Sequence, residues 1–262
     1  MGEYAGRIVL VTGGASGLGL AAAQTFAREG AMVVVADKNG QGAEETAEAI
    51  RSSGGSARGE QFEIGEAASV SGLVERLARE LFRIDVLVNC AGIARGEHQM
   101  GPDAWLPMEE VLLDDWDAVI RVNLTGTFLV DQAVGRVMIA QRKGRIINVA
   151  SMSGMIANAG VKGLGPYNAS KAGVITLTKV LAVEWAEYNV TVNSISPGYM
   201  ATAMGTRSQR FPEFKRIQIE RTPMRRLGDP EEFAHAALYL ASEAAAFVTG
   251  HNLVIDGGYT AW

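Results

Sequence analysis

Apolar residues in this chain come in short unbroken runs, separated by longer stretches in which they recur with a helical period. Residues 7–11 form the first run and end in a glycine cluster, as a parallel strand covered on both faces should. Residues 18–28 then turn helical, with Gly30 placed as a C-terminal cap. The same alternation continues with strands over 32–36, 57–64 and 84–88 and helices over 42–52 and 70–82. A long helical region spans 114–141, with breaks expected near Gly126 and Gly135. Beyond it come a strand over 145–149, a helix over 167–187, a strand over 190–195, a helix over 230–240 and a strand over 252–255. Alternating strands and helices predict a single α/β domain, a doubly wound parallel sheet of about seven strands with helices on both faces. Only residues 200–227 break the alternation, with Pro212, Pro223 and several arginines; they read either as a substrate lid or as a pair of surface helices.

Composition agrees with a packed globular unit. Apolar residues make up 48% of the 262 and charged residues 20%, and no apolar run is long enough to span a bilayer. A net charge of −5, with no basic cluster, argues against nucleic-acid or membrane partners. Cys90 is the sole cysteine, so no internal disulfide can form; following the run Val86-Leu87-Val88, it reads as a small core thiol. The three histidines are scattered without metal-ligand spacing, so no metal site is expected. With no signal-peptide pattern at the start, the expectation is a cytoplasmic protein.

Two local patterns carry chemistry. Thr12-Gly13-Gly14-Ala15-Ser16-Gly17-Leu18-Gly19 falls between the first strand and the first helix, where glycines allow backbone N–H groups to approach a pyrophosphate at a helix N-terminus. Asp37 ends the second strand, where a carboxylate accepts ribose hydroxyls and repels a 2′-phosphate; this favours NAD over NADP, although Asp37 also suits a helix N-cap. Tyr167 and Lys171 lie four residues apart and so share a helix face. Free tyrosine titrates near pH ~10, and a neighbouring ammonium stabilises its phenolate for acid/base work.

With these residues assembled, the chain resembles the short-chain dehydrogenase/reductase family over essentially its whole length. The glycine turn is similar to that family's T-G-x-x-x-G-x-G, and Asn89-Cys90-Ala91-Gly92 to its segment after the fourth strand. Asn123, Ser151, Tyr167 and Lys171 fall on its catalytic tetrad; Pro197-Gly198 with Thr202, and Ile255-Asp256-Gly257-Gly258, fall on two further signatures. The resemblance implies a Rossmann-like fold and an NAD-dependent oxidoreductase that interconverts a secondary alcohol and a ketone. Tyr167 would exchange the proton with the substrate oxygen and Ser151 would hydrogen-bond it. Lys171 would lower the tyrosine pKa and hold the nicotinamide ribose. Asn123 would kink its helix and hold a relay water, although a buried amide paired with backbone fits it too. Ser153 competes with Ser151 for its role. The nucleotide would lie on Gly13, Ser16, Gly17, Leu18, Gly19 and Asp37, on Glu63 and Ile64, on Asn89, Ala91 and Gly92, on Tyr167 and Lys171, and on Pro197, Gly198, Met200 and Thr202. Glu63 stands where the family usually has aspartate, and Cys90 where asparagine is common.

Substrate identity is the open part. The run from Ser151 to Asn158 and the C-terminal stretch look most like the family's polyol and sugar dehydrogenases, with Ser151, Ser153, Asn158 and Tyr167 as substrate contacts and His98 and Gln99 as further polar candidates. Asn158 equally suits a turn cap. A 3-oxoacyl thioester reductase is the alternative, and Met100, Trp105, Leu106, Met155 and Ile156 would line an apolar pocket if the substrate were a simple secondary alcohol or a steroid. A non-catalytic NAD-binding regulator is a third reading, which the complete tetrad disfavours. Relatives commonly form homotetramers through the two long helices, here 114–141 and 167–187. In such an assembly the carboxylate of Trp262 would reach a neighbour's active site or a Mg²⁺ ion.

Overall fold

The computed structural model describes residues 2–95, 106–158, 161–202 and 212–262. His98, Gln99, Met100, Trp105 and part of the 200–227 segment lie outside the described residues.

Seven strands form one sheet: β1 (Ile8–Thr12), β2 (Met32–Asp37), β3 (Ser56–Gln61), β4 (Val86–Asn89), β5 (Gly144–Val149), β6 (Val190–Pro197) and β7 (Asn252–Ile255). Their order is β3-β2-β1-β4-β5-β6-β7, and every pairing is parallel. The strands read as continuous apolar runs because successive side chains enter two different cores. Val9, Val11, Val33, Val35, Val86 and Val88 face one core, with Phe26, Phe233 and Leu240. Leu10, Val34, Leu87 and Ile146 face the other, with Leu77, Val134 and Met138. Each such fully buried side chain contributes about 1.5–3 kcal/mol, which holds the sheet in register from both sides.

Helices α1 (Gly17–Arg28) and α2 (Gly40–Ser52) follow β1 and β2, and α3 (Ala67–Leu81) follows β3. The long region after β4 is divided into α4 (Leu113–Ile120), a π turn (Arg121–Thr125) and α5 (Gly126–Gln141). The break anticipated near Gly126 is therefore real and has a π turn as its cause. No break occurs at Gly135, which instead makes room for a neighbour: a Cβ there would stand 2.4 Å from the Trp185 ring. Helix α6 (Gly165–Trp185) precedes β6, α7 (Pro212–Arg221) lies in the atypical segment, and α8 (Pro230–Ala241) precedes β7. Among the described residues no helix is long and apolar enough to cross a membrane.

Strand order reverses beside β1, whose neighbours β2 and β4 are followed by helices on opposite faces. Thr12 and Asn89 are the last paired residues of β1 and β4, so the chain segments leaving them diverge and open a crevice at the carboxyl edge. The anticipated strand over 57–64 stops at Gln61, because Phe62 and Ile64 turn inward to cap the second core.

Helix α8 starts with a complete capping box: the Asp229 side chain accepts from the backbone of the first turn, and Glu232 reaches back to the Asp229 N–H at 2.7 Å. Replacing Asp229 with Ala should lower unfolding free energy by about 1 kcal/mol in urea denaturation, with an unchanged midpoint counting against this role.

Candidate active site

Helix α1 presents an N-terminus built differently from that of α8. Ser16 caps it without a side-chain hydrogen bond, and its first turn carries no acidic residue. Open N–H donors with the positive end of the helix behind them suit an anion. The preceding turn is tight: Gly13 has φ +67° and Gly17 φ +56°. A Cβ on Gly13 would stand 2.8 Å from Ala91, and one on Gly19 would stand 2.2 Å from the Gly13 carbonyl oxygen. Larger residues would fill the cradle that a pyrophosphate needs.

Asp37 closes the turn from the β2 side. Its carboxylate accepts from the Ala15 N–H at 3.1 Å and from the Asn39 N–H at 2.9 Å. One bond to each oxygen leaves lone pairs for ribose hydroxyls. Thr202 approaches from the end of β6, within 3.7 Å of a Cβ built on Gly17. Gly198 packs so closely that a Cβ would stand 2.7 Å from Asp256, whose carboxylate ties down the final turn by accepting from the Gly258 and Thr260 N–H groups. These residues fit a dinucleotide, whose nicotinamide, when bound, supplies the hydride donor or acceptor.

Other predicted nucleotide contacts are placed less directly. Glu63 is exposed and Ile64 buried, the latter lying against Gly126, so Ile64 offers only its backbone to an adenine. The Asn89 side chain is turned inward, where its carbonyl oxygen accepts from the Thr12 hydroxyl at 2.8 Å. Gly92 lies beside Asn123 and Lys171, with Asn123 Oδ1 at 3.2 Å and Lys171 Nζ at 3.5 Å from a Cβ built there. Met200 is buried and packs its sulfur over Gly228.

The four catalytic candidates meet at the carboxyl ends of β4 and β5. Ser151 follows β5 and caps a short 3₁₀ turn (Met152–Gly154), its Oγ accepting from the Ser153 N–H at 3.1 Å. The turn sits directly on α6: a Cβ on Gly154 would stand 2.7 Å from the Lys171 carbonyl carbon. Tyr167 lies in the first turn of α6 and Lys171 one turn on, with Lys171 Nζ 5.9 Å from the Tyr167 ring centre. Ser151 lies beside the Tyr167 phenol and favours its phenolate. Ser153 is also buried, but its N–H is committed to Ser151.

Asn123 sits in the π turn that breaks its helix, and it is a buried amide paired with backbone. Its side chain pairs with Ile93 in both directions, accepting from the N–H and donating to the carbonyl at 2.8 Å each. It also donates to Ser170 Oγ at 3.0 Å, and that hydroxyl donates to the Tyr167 carbonyl at 2.7 Å. The π turn exposes the Asn123 carbonyl, which the Thr127 hydroxyl meets at 2.7 Å.

The electrostatics differ from the simple tyrosine–ammonium picture. Lys171 Nζ donates to the Val149 carbonyl at 2.7 Å rather than to the phenol. Burial drives the lysine down to about 8, and Tyr167 upward against the opposing influence of Ser151. Desolvation thus outweighs the expected lowering of the tyrosine. Cys90 is pushed up to about 12 by burial, in keeping with an inert core thiol.

Asn158 is buried, with its Oδ1 lacking a hydrogen-bond partner among the described residues and its Nδ2 3.5 Å from the Tyr199 hydroxyl. Tyr199 packs edge-on against Tyr259, ring centres 5.5 Å apart. Sequence patterning did not single out Tyr199 or Tyr259, because nothing local distinguishes them from ordinary half-buried aromatics. Met155 is exposed and Ile156 half-buried, at the mouth of the same region.

The comparisons agree with this geometry. Residues 13–260 match the family model described as enoyl-(acyl carrier protein) reductase. The chain is 42% identical over 255 residues to the D-threitol dehydrogenase of Mycolicibacterium smegmatis, covering 97% of this chain and 93% of that protein. It is 40% identical over 255 residues to the 3-oxoacyl-(acyl-carrier-protein) reductase of Thermotoga maritima, covering 97% of each. Among solved structures, a gluconate 5-dehydrogenase from Burkholderia cenocepacia in complex with NADP and tartrate superimposes with a TM-score of 0.91 at 36% identity, covering 99% of this chain and 97% of the other. The chain therefore belongs to the short-chain dehydrogenase/reductase family and is an oxidoreductase that uses a nicotinamide nucleotide.

Proposed function

We propose that this enzyme is an NAD-dependent dehydrogenase acting on a secondary hydroxyl of a polyol, sugar or sugar acid. The observation that carries the reading is Asn158, a buried amide in the segment that follows Ser151, whose side-chain oxygen lacks a partner among the described residues. A buried acceptor left unpaired is costly, and a second substrate hydroxyl would satisfy it. The D-threitol dehydrogenase and gluconate 5-dehydrogenase among the similar proteins support this class, while the 3-oxoacyl reductase keeps a thioester substrate as the second reading.

In this scheme Ser151 and Tyr167 grip the reacting oxygen. Tyr167 takes its proton during oxidation and returns it during reduction. Burial disfavours the phenolate that this requires, so Ser151 and the Lys171 charge must offset the desolvation. Asn123 holds the Ile93 segment and, through Ser170, the first turn of α6. Asp37 favours NAD, because its carboxylate stands where a 2′-phosphate would be repelled; the NADP in the gluconate 5-dehydrogenase makes the cofactor ratio a point to measure. The lid reading of the 200–227 segment is supported, in its described part, by a cavity of about 350 Å³ between Tyr199, Met200, Thr222 and Met224. A cytoplasmic homotetramer is supported by the lone cysteine and by Phe128, Val180 and Val183, which leave apolar surface exposed on α5 and α6.

A panel of C4–C6 polyols, sugar acids and 3-oxoacyl thioesters, each assayed with both nucleotides, tests the assignment. Oxidation of a polyol or sugar acid with NAD is expected; turnover confined to the thioester with NADPH would replace it with the second reading. Tyr167→Phe should lose at least about 100-fold in turnover while NADH still binds by fluorescence titration. Asn158→Ala should raise the polyol KM by about tenfold and leave a monohydric secondary alcohol within about twofold; equal effects on both would remove Asn158 from recognition.

Lys171 gives a pH signature independent of turnover. Its folded pKa of about 8 lies below its ordinary 10.5, so between those values the unfolded chain binds more protons than the folded one. Stability from this group therefore rises with pH across that window, with the burial penalty full below about 8 and relieved above 10.5. Unfolding free energy of Lys171→Met, compared with the parent protein from pH 7 to 11, should lack that rise; parallel curves would contradict the buried ammonium.

A further inference from the structure

Helix α5 buries a stripe of Val130, Val134 and Met138, and Asp131 lies among them, fully shielded from solvent. A lone acid within an apolar helix face is the sequence signal for it, and no part of the proton-transfer scheme uses it. Burial pushes its carboxyl up to about 7, opposed by two side-chain amides.

Those amides connect it to the crevice. Asp131 Oδ2 accepts from Asn148 Nδ2 at 2.9 Å, and Oδ1 accepts from Asn89 Nδ2 at 3.4 Å. Asn89 Nδ2 also reaches the Thr127 carbonyl, at 3.5 Å. Its other end, Oδ1, accepts from the Thr12 hydroxyl at 2.8 Å, and Thr12 Oγ1 in turn accepts from the Ala91 N–H at 3.2 Å.

The direction of this chain follows from the ionised form of Asp131, whose two oxygens accept and do not donate, as the amide NH₂ groups on both of them require. Asp131 therefore draws the NH₂ end of Asn89 toward itself and leaves the carbonyl end for Thr12. Thr12 must then donate to Asn89, which frees its lone pairs for the Ala91 N–H. With Gly13 packed against Ala91, the arrangement sets where the glycine turn and the segment after β4 face each other across the crevice. Asn123 pins the next residues through Ile93, so both ends of that wall are held by buried side chains.

We propose that Asp131 is a positioning residue for the nicotinamide nucleotide, acting through Asn89 and Thr12 on the Ala91 segment without touching the nucleotide. Replacing a buried acid by an apolar residue of similar size is often neutral or stabilising, so Asp131→Leu should fold. Asn89 and Asn148 each keep another partner in that variant, Thr127 and Thr178 respectively.

The test is NADH titration by fluorescence on Asp131→Leu, Asp131→Asn, Thr12→Val and the double variant Asp131→Leu/Thr12→Val, together with hydrogen exchange of the Ala91 amide in the nucleotide-free protein. Asp131→Leu and Thr12→Val should each raise the NADH Kd by about tenfold and speed Ala91 exchange. The double variant should be no weaker than the weaker single, because both cut one chain. Asp131→Asn, which keeps an oxygen for Asn89, should stay within about twofold. In steady state the loss should appear in the nucleotide KM rather than in kcat. An unchanged Kd in Asp131→Leu, or effects that multiply in the double variant, would overturn the proposal. Should Asp131→Leu fail to fold, Thr12→Val decides: unchanged Kd and Ala91 exchange there overturn it equally.

Discussion

Burial of the sheet on both faces is the constraint from which the rest follows. With valines and leucines alternating into two cores, the strands have no solvated face on which to place chemistry. Backbone hydrogen bonds of β1 and β4 run out together at Thr12 and Asn89, and there the chain must find other partners or a ligand. The glycine turn, the segment after β4 and the Ser151 turn all leave the sheet at this carboxyl edge. The reversal of strand order makes the first two diverge, so the crevice is a consequence of topology.

The same burial shapes the acid/base chemistry. It disfavours both the ammonium of Lys171 and the phenolate of Tyr167, driving the lysine pKa down and the tyrosine pKa up, so that the two move apart. Burial thus favours the neutral form of each side chain. Rigidity of the site has its own source: a close backbone approach joins Gly154 to Lys171, and Ser170 links the first turn of α6 to Asn123. The serine, the tyrosine and the lysine are held by backbone contacts, which side-chain motion alone cannot loosen.

Polar side chains inside the sheet–helix interface are few, and they form connected pairs. Thr12, Asn89, Asp131, Asn148 and Thr178 are all buried and joined by hydrogen bonds. Its members satisfy one another except at Asn148 Oδ1, which has no partner among the described residues, and the group specifies one arrangement of the helix against the sheet. Its position beneath the crevice couples the packing of α5 to the geometry of the strand ends.

Much of this was legible in the residues themselves. Apolar runs with the period of buried strands located every strand, and the glycine turn, Asp37, Ser151, Tyr167 and Lys171 could be placed on their elements because their spacing is local. The break before Gly126 was visible, whereas the one expected at Gly135 was not real, since only packing against Trp185 explains that glycine. The early end of β3 likewise depended on where Phe62 and Ile64 found a core. The inward turn of Asn89, the orphaned oxygen of Asn158, the Tyr199–Tyr259 contact and the role of Lys171 toward Val149 were decided by tertiary structure alone. Each depends on neighbours tens of residues away, and on desolvation, which is a property of the assembled fold and has no counterpart in any short stretch of chain.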